Sequence, residues 1–120
     1  MSFRLLGSIA AGIVLGALSW SLAAIASGHF EPYDSGLGLL ANQLVLSVPA
    51  GLLALKRGAR ACLVLVLGSY LGMNLYAFTF GGGEQRAWLS LGMVASLLLI
   101  IVPLLVALAV AAYRVRHPSA

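Results

Sequence analysis

The sequence predicts an all-α membrane protein: four antiparallel transmembrane helices in a single domain over residues 1–120, with both termini in the cytoplasm. Three observations carry this. The chain is 62% hydrophobic and only 8% charged, with a mean hydropathy of +1.05, whereas a soluble domain keeps about a quarter of its residues charged. Its seven Lys/Arg and three Asp/Glu fall in short clusters between four long uncharged runs. Those runs cover about 5–27, 37–55, 61–80 and 87–113, and roughly 20 apolar residues suffice for a helix to cross about 30 Å of hydrocarbon.

The first run begins after Arg4. Arg4 and Ala24-Ile25-Ala26 have the form of a signal peptide's basic start and cleavage site. The uncharged run is longer than a signal's apolar core, so a membrane-crossing helix is expected instead. Ser8, Gly12 and Gly16 recur at steps of four, and Ser19 and Ala23 continue that side. Such a face lets a second helix approach backbone to backbone. Trp20 is expected near the headgroups, the commoner place for tryptophan in a membrane helix.

Gly28, Pro32 and Gly36 break the helix, and Asp34 or Ser35 can cap the next one. His29, Glu31 and Asp34 in this connection match no compact ligand spacing, so a solvated loop is expected rather than a metal site. The second run carries Asn42, Gln43, Ser47 and Pro49. Pro49 removes a helical hydrogen bond and predicts a kink. An unpaired amide in lipid costs several kcal/mol, so at least one of Asn42 and Gln43 must face protein. Either they join helices or they line a solute path.

Lys56-Arg57-Gly58-Ala59-Arg60 forms a tight basic turn into the third run. There Gly68, Gly72 and Tyr76 fall along one side of a helix, with Tyr70 and Asn74 nearly opposite. The glycine pair invites the Gly12/Gly16 face, and the Asn74 amide needs partners on the other side. A helix used on two sides is central. Gly81-Gly82-Gly83 ends it; no strand precedes these glycines and no Gly-Lys-Ser/Thr follows, so they are not a phosphate loop. The fourth run is nearly all aliphatic and longer than a perpendicular crossing needs, with Pro103 the expected bend. Arg114, Arg116 and His117 close it in a basic tail.

Alternating directions put Arg4, Lys56, Arg57, Arg60, Arg114 and Arg116 on one side, and Arg86 with Glu31, Asp34 and Glu84 on the other. Lysine and arginine mark the cytoplasmic face. Short loops and a clean charge bias suit a bacterial inner membrane. At 1.5 Å per residue, Asn42 and Gln43 lie roughly 8–9 Å below the outer start of their helix, and Asn74 roughly 9 Å below its outer end. With Ser19 and Ser96 near that level, a polar layer of Asn42, Gln43, Tyr70, Asn74, Ser96 and Ser19 is expected in the outward half. It is either an interhelical cluster or the floor of a ligand site.

Several functions lose their parts on this reading. The net charge of +4 reports topology, and no basic patch with interleaved aromatics suggests nucleic acid. The single Cys62 rules out an intrachain disulfide and a cysteine metal cage. No Asp, Glu, Lys, Arg or His lies inside any run, so the embedded ionisable group of a proton-coupled transporter is missing. The size and four-helix plan resemble those of the small multidrug exporters, whose first-helix glutamate has no counterpart here. They also resemble those of the small fluoride channels, where Asn42 and Phe78-Thr79-Phe80 echo channel-lining residues. The rest of that family's Thr/Ser/Phe stretch is absent, and the chain is assigned to neither.

No paired carboxylates, embedded histidines or recurring ligands support an enzyme, a cofactor or a metal. The expected role is therefore binding: an accessory or regulatory subunit of a larger membrane assembly, or a modulator of another membrane protein. Its expected partners are the lipid bilayer and either a membrane protein or further copies of the chain. The alternative is an oligomeric channel or uncoupled transporter for a small neutral or anionic solute.

Overall fold

The computed structural model describes residues 3–28, 32, 35–87 and 89–116, and no strand occurs among them. Helix α1 spans Phe3–Ser27, α2 Gly36–Arg57 and α3 Ala59–Phe80, followed by a short α4 at Gly82–Ala87, then α5 at Leu89–Leu99 and α6 at Ile101–Arg116. Four segments are long and apolar enough to cross a membrane: Leu5–Ser27, Gly36–Arg57, Ala59–Phe80 and Ser90–Arg116. The last combines α5 and α6.

Local chemistry explains where each helix stops. Ser35 sits in extended backbone before α2 and its hydroxyl accepts the Gly38 N–H at 3.0 Å, one of the donors a helix start leaves open. The other cap candidate, Asp34, lies outside the described residues, as do His29, Glu31 and His117. Helix α2 runs through Pro49 as one element. A single residue, Gly58, turns α2 into α3 at φ +85°. The left-handed backbone there favours glycine, and a Cβ would stand 2.7 Å from the Nη1 of Arg114, whose flexible side chain could move aside. After α3 the glycines do not form a simple loop: Gly81 caps the helix and Gly82, at φ +76°, opens α4.

The fourth run is interrupted at Ile100 rather than at Pro103. Proline has no N–H to give the carbonyl four residues back, and its ring collides with that carbonyl. The disturbance therefore falls one turn upstream. Ile100 N–H bonds to Leu97 O at 3.3 Å in a tighter turn, and the regular pattern resumes when Leu104 N–H reaches Ile100 O at 2.9 Å. The carbonyl of Leu99 is the one left without a helical donor.

Around the bundle the order is α1, α3, the α5–α6 segment and α2, with α2 and α3 also touching across the middle. Chain-sequential helices run antiparallel: Ser27 and Ser19 of α1 meet Gly38 and Asn42 of α2, and Asn42 and Ala50 of α2 meet Met73 and Cys62 of α3. The α1–α3 interface is the most extensive, and it is parallel. There Gly12 and Gly16 meet Gly68, Ser69 and Met73 backbone to backbone. A Cβ on Gly68 would lie 2.5 Å from the Ile9 carbonyl oxygen, and one on Gly12, Gly16 or Gly72 would strike the carbonyls of Leu65, Ser69 or Ile13. Half of the α3 apolar window is buried, against 22–28% in the other three segments, which makes α3 the middle of the fold.

Two apolar clusters fill the interior. Near the α2–α3 turn the contacts are small: Ala50, Ala54, Cys62, Ala107 and Ala111 let α2 lie close to α6, with Leu65 and Val66 from α3. At the other end the core is built on Trp20, packed with Leu46, Met73, Ala77 and Leu99. Trp20 is 0% exposed, so it is a core residue and not the headgroup anchor its side chain suggested. The exterior is the reverse of a soluble protein's: Leu67, Leu71 and Leu75 of α3 and Leu97, Leu98 and Leu105 of the fourth segment are exposed.

Candidate functional site

Inside this apolar body one chain of polar groups touches all four long segments. It starts at the carbonyl of Leu99 that Pro103 leaves free. The Gln43 Nε2 donates to that oxygen at 2.8 Å and to the neighbouring Asn42 Oδ1 at 2.9 Å. Asn42, itself fully buried, donates from Nδ2 to Ser19 Oγ at 3.1 Å and to the Met73 sulfur at 3.6 Å. The Ser19 hydroxyl donates in turn to the Gly16 carbonyl, 2.7 Å away in its own helix. Asn42 thus uses both amide protons and its carbonyl, which offsets the several kcal/mol that its burial would otherwise cost.

Each link is placed by local sequence. The Gly16 seam holds α1 against α3 so closely that Ser19, one turn on, sits beside Met73. Asn42 lies about two turns into α2 from the Ser35 cap, at the level where α2 crosses the α1–α3 groove. Gln43, the next residue and so about 100° round the helix, points instead to the α5–α6 break. It is only partly buried and lines a cleft of about 510 Å³ with Leu39, Ala95, Leu98, Leu99 and Val102.

Asn42, Gln43 and Ser19 are therefore brought together, while Tyr70, Asn74 and Ser96 are not part of the chain. The Asn74 Nδ2 turns back to the Tyr70 carbonyl at 2.8 Å, and Ser96 Oγ to the Gly92 carbonyl at 2.8 Å, both within their own helices. Tyr70 links a different pair of elements: its hydroxyl donates to the Met93 carbonyl of α5 at 3.1 Å. Tyr70 and Asn74 lie on the side of α3 away from the glycine seam, where Ser19 is out of reach. Met73 is the member that sequence reasoning missed. A thioether is a weak acceptor with no polar signature, and only its depth, matching that of Asn42, points to it.

The pairing of Gln43 with a proline-freed carbonyl has a measurable consequence. Gln43→Ala is expected to destabilise the fold by about 1 kcal/mol, a typical interhelical hydrogen bond between apolar segments. In a Pro103→Ala background the backbone N–H gained at position 103 can serve the Leu99 carbonyl, and the same substitution should then cost clearly less. Thermal unfolding of the four proteins of this double-mutant cycle checks it; equal costs in both backgrounds would mean that Gln43 does not serve that carbonyl.

Among the described residues, no group of three or more His, Cys, Asp or Glu is arranged to hold a metal ion. Comparison with protein-family models, curated proteins and solved structures finds no match to this chain.

Proposed function

We propose that this chain is a small integral membrane protein that acts by binding, as an accessory subunit or modulator of another membrane protein, with both termini cytoplasmic in a bacterial inner membrane. The observation that carries the reading is the use of its buried polar groups. The Asn42 amide is bonded inside the bundle and reaches no opening, as expected of groups that hold helices together. The inside-out distribution of leucines supports insertion, because a soluble monomer rarely exposes apolar patches beyond a few hundred Å². Lysine and arginine at the Gly58 turn and at the end of α6 support the orientation. What remains for function is the exposed apolar surface, which suits recognition of another membrane helix.

A channel or uncoupled transporter is the second reading, and one feature favours it: Gln43 is an amide on the wall of an open cleft. The two readings separate in liposomes. The purified protein is expected to pass neither glycerol, urea nor small anions above the rate of empty vesicles. A flux that Asn42→Leu or Gln43→Leu removes, while helical content and a single sharp elution peak persist, would replace the binding role with a solute path. Mild detergent extraction from native membrane, followed by identification of what co-elutes in constant ratio, then names the partner.

A further inference from the structure

The geometry points to a binding site for an anionic phospholipid in the cleft between α1 and α2 at the basic end of the bundle; this rests on the reading that the helices cross a membrane. The two helices are tied together towards the opposite end by the Asn42–Ser19 hydrogen bond, and Ser27 lies beside Gly38. Towards the Gly58 turn they part and leave a cleft of about 420 Å³, within the range of about 300–1,000 Å³ usual for ligand sites. Its α1 wall is made of Gly7, Ser8 and Ala11, and nothing lies within 4 Å of where a Gly7 Cβ would be. Leu65 of α3 closes the floor, and Lys56 and Arg57 stand on the α2 rim.

That combination fits an amphipathic anion. Lys56 and Arg57 are exposed, and among the described residues neither has a hydrogen-bond or ion-pair partner. Arg114 folds over the Gly58 turn beside them and adds to the positive charge. Along the sequence the chain's three acidic residues stand apart from this turn, Glu31 and Asp34 between α1 and α2 and Glu84 within the α4 stretch. The cations therefore require an external counter-charge. Below them Leu53, Leu52 and Pro49 carry the apolar wall about 10 Å deeper at 1.5 Å per residue. A phosphate-bearing headgroup on the rim with an acyl chain along that wall satisfies both surfaces, as basic pockets between helices do on the cytoplasmic side. Inorganic phosphate would satisfy only the rim, and a zwitterionic lipid only the wall.

The test is native mass spectrometry of the full chain released from mixed micelles holding equal phosphatidylglycerol and phosphatidylcholine. The expected result is retention of phosphatidylglycerol with roughly thirtyfold preference, the equivalent of about 1 kcal/mol from each of Lys56 and Arg57 near a membrane surface. The preference should fall to near unity in Lys56→Gln/Arg57→Gln. Ala11→Leu, which fills the cleft and keeps the charge, should also lose the bound lipid, whereas Arg116→Gln, outside the cleft, should keep it. Equal retention of the two lipids by the unaltered protein would overturn the site. So would an equal loss in Arg116→Gln, which means diffuse attraction, or displacement of the lipid by inorganic phosphate, which means an anion site only. Variants that fail to elute as the unaltered protein does are replaced by Lys56→Arg and Ala11→Val, expected to keep and to lose the lipid respectively. Carbonate extraction of cell membranes separately tests insertion, so a failure of the lipid site is distinguishable from a failure of the membrane reading.

Discussion

Gly72→Leu is expected to abolish the folded bundle. A Cβ at Gly72 would already collide with the carbonyl, carbonyl carbon and Cα of Ile13, all backbone atoms that cannot rotate away. Overpacking a core with added methylenes typically costs about 1–3 kcal/mol when side chains absorb it. Here the helices themselves must separate. Separation would open the whole Gly12–Gly16–Gly68–Gly72 seam, the most extensive interface of the fold, and would carry Ser19 away from Asn42. The measurement is size-exclusion elution with unfolding followed by tryptophan fluorescence, to which the buried Trp20 contributes. Gly7→Ala is the control: no atom lies within 4 Å of that Cβ, so the better helix former should be neutral or stabilising by up to about 1 kcal/mol. Similar behaviour of the two variants would mean that α1 and α3 do not meet backbone to backbone.

Asn42→Asp should be nearly as damaging, although it changes a single group. The carboxylate keeps an acceptor for Gln43 Nε2 but loses both protons that Asn42 gives to Ser19 and Met73. The Ser19 hydroxyl already donates to Gly16 and is not free to help. An ion would then sit in a site with 0% exposure, with no described cation at that level of the bundle. An aspartate at the centre of a membrane helix costs about 2.5–3.5 kcal/mol on insertion scales. Removing the amide altogether, as in Asn42→Ala, should cost about 1 kcal/mol from the lost interhelical bonds. Unfolding in denaturing detergent should therefore rank Asn42→Asp well below Asn42→Ala. Equal losses in the two variants would mean that water reaches Asn42.

The parts of this structure that were legible in the sequence are those encoded by one residue type at one spacing. Four uncharged runs separated by clusters of charge give four long helices, because nothing else in the chain competes for them. Glycines four apart on two helices encode a close backbone approach directly. Depth was also readable, since rise per residue is fixed, and Asn42 and Ser19 do share a level. Direction around the helix decides the partner as much as depth does. Asn74 stands at a suitable depth but on the face of α3 opposite the seam, so it bonds to its own helix instead.

Other features depend on what several helices do together. Trp20 is in the core because Leu46, Met73, Ala77 and Leu99 of the other three long segments pack around it, a property of the assembled bundle and not of the α1 sequence. The interruption at Ile100 follows from Pro103, but its placement upstream depends on which carbonyl finds another donor. That donor is Gln43, far away in the chain. A thioether completing the site at Met73 leaves no trace in composition.

Whether Asn42 joins helices or faces a solute path is tested most directly by thiol accessibility. In a Cys62→Ala background, free of other cysteines, Asn42→Cys and Lys56→Cys are treated with a charged methanethiosulfonate reagent in open membrane sheets, which expose both faces. The expected result is rapid modification at position 56 and none at position 42 until detergent unfolds the bundle. Modification of position 42 at a rate comparable to position 56 in the folded protein would contradict it.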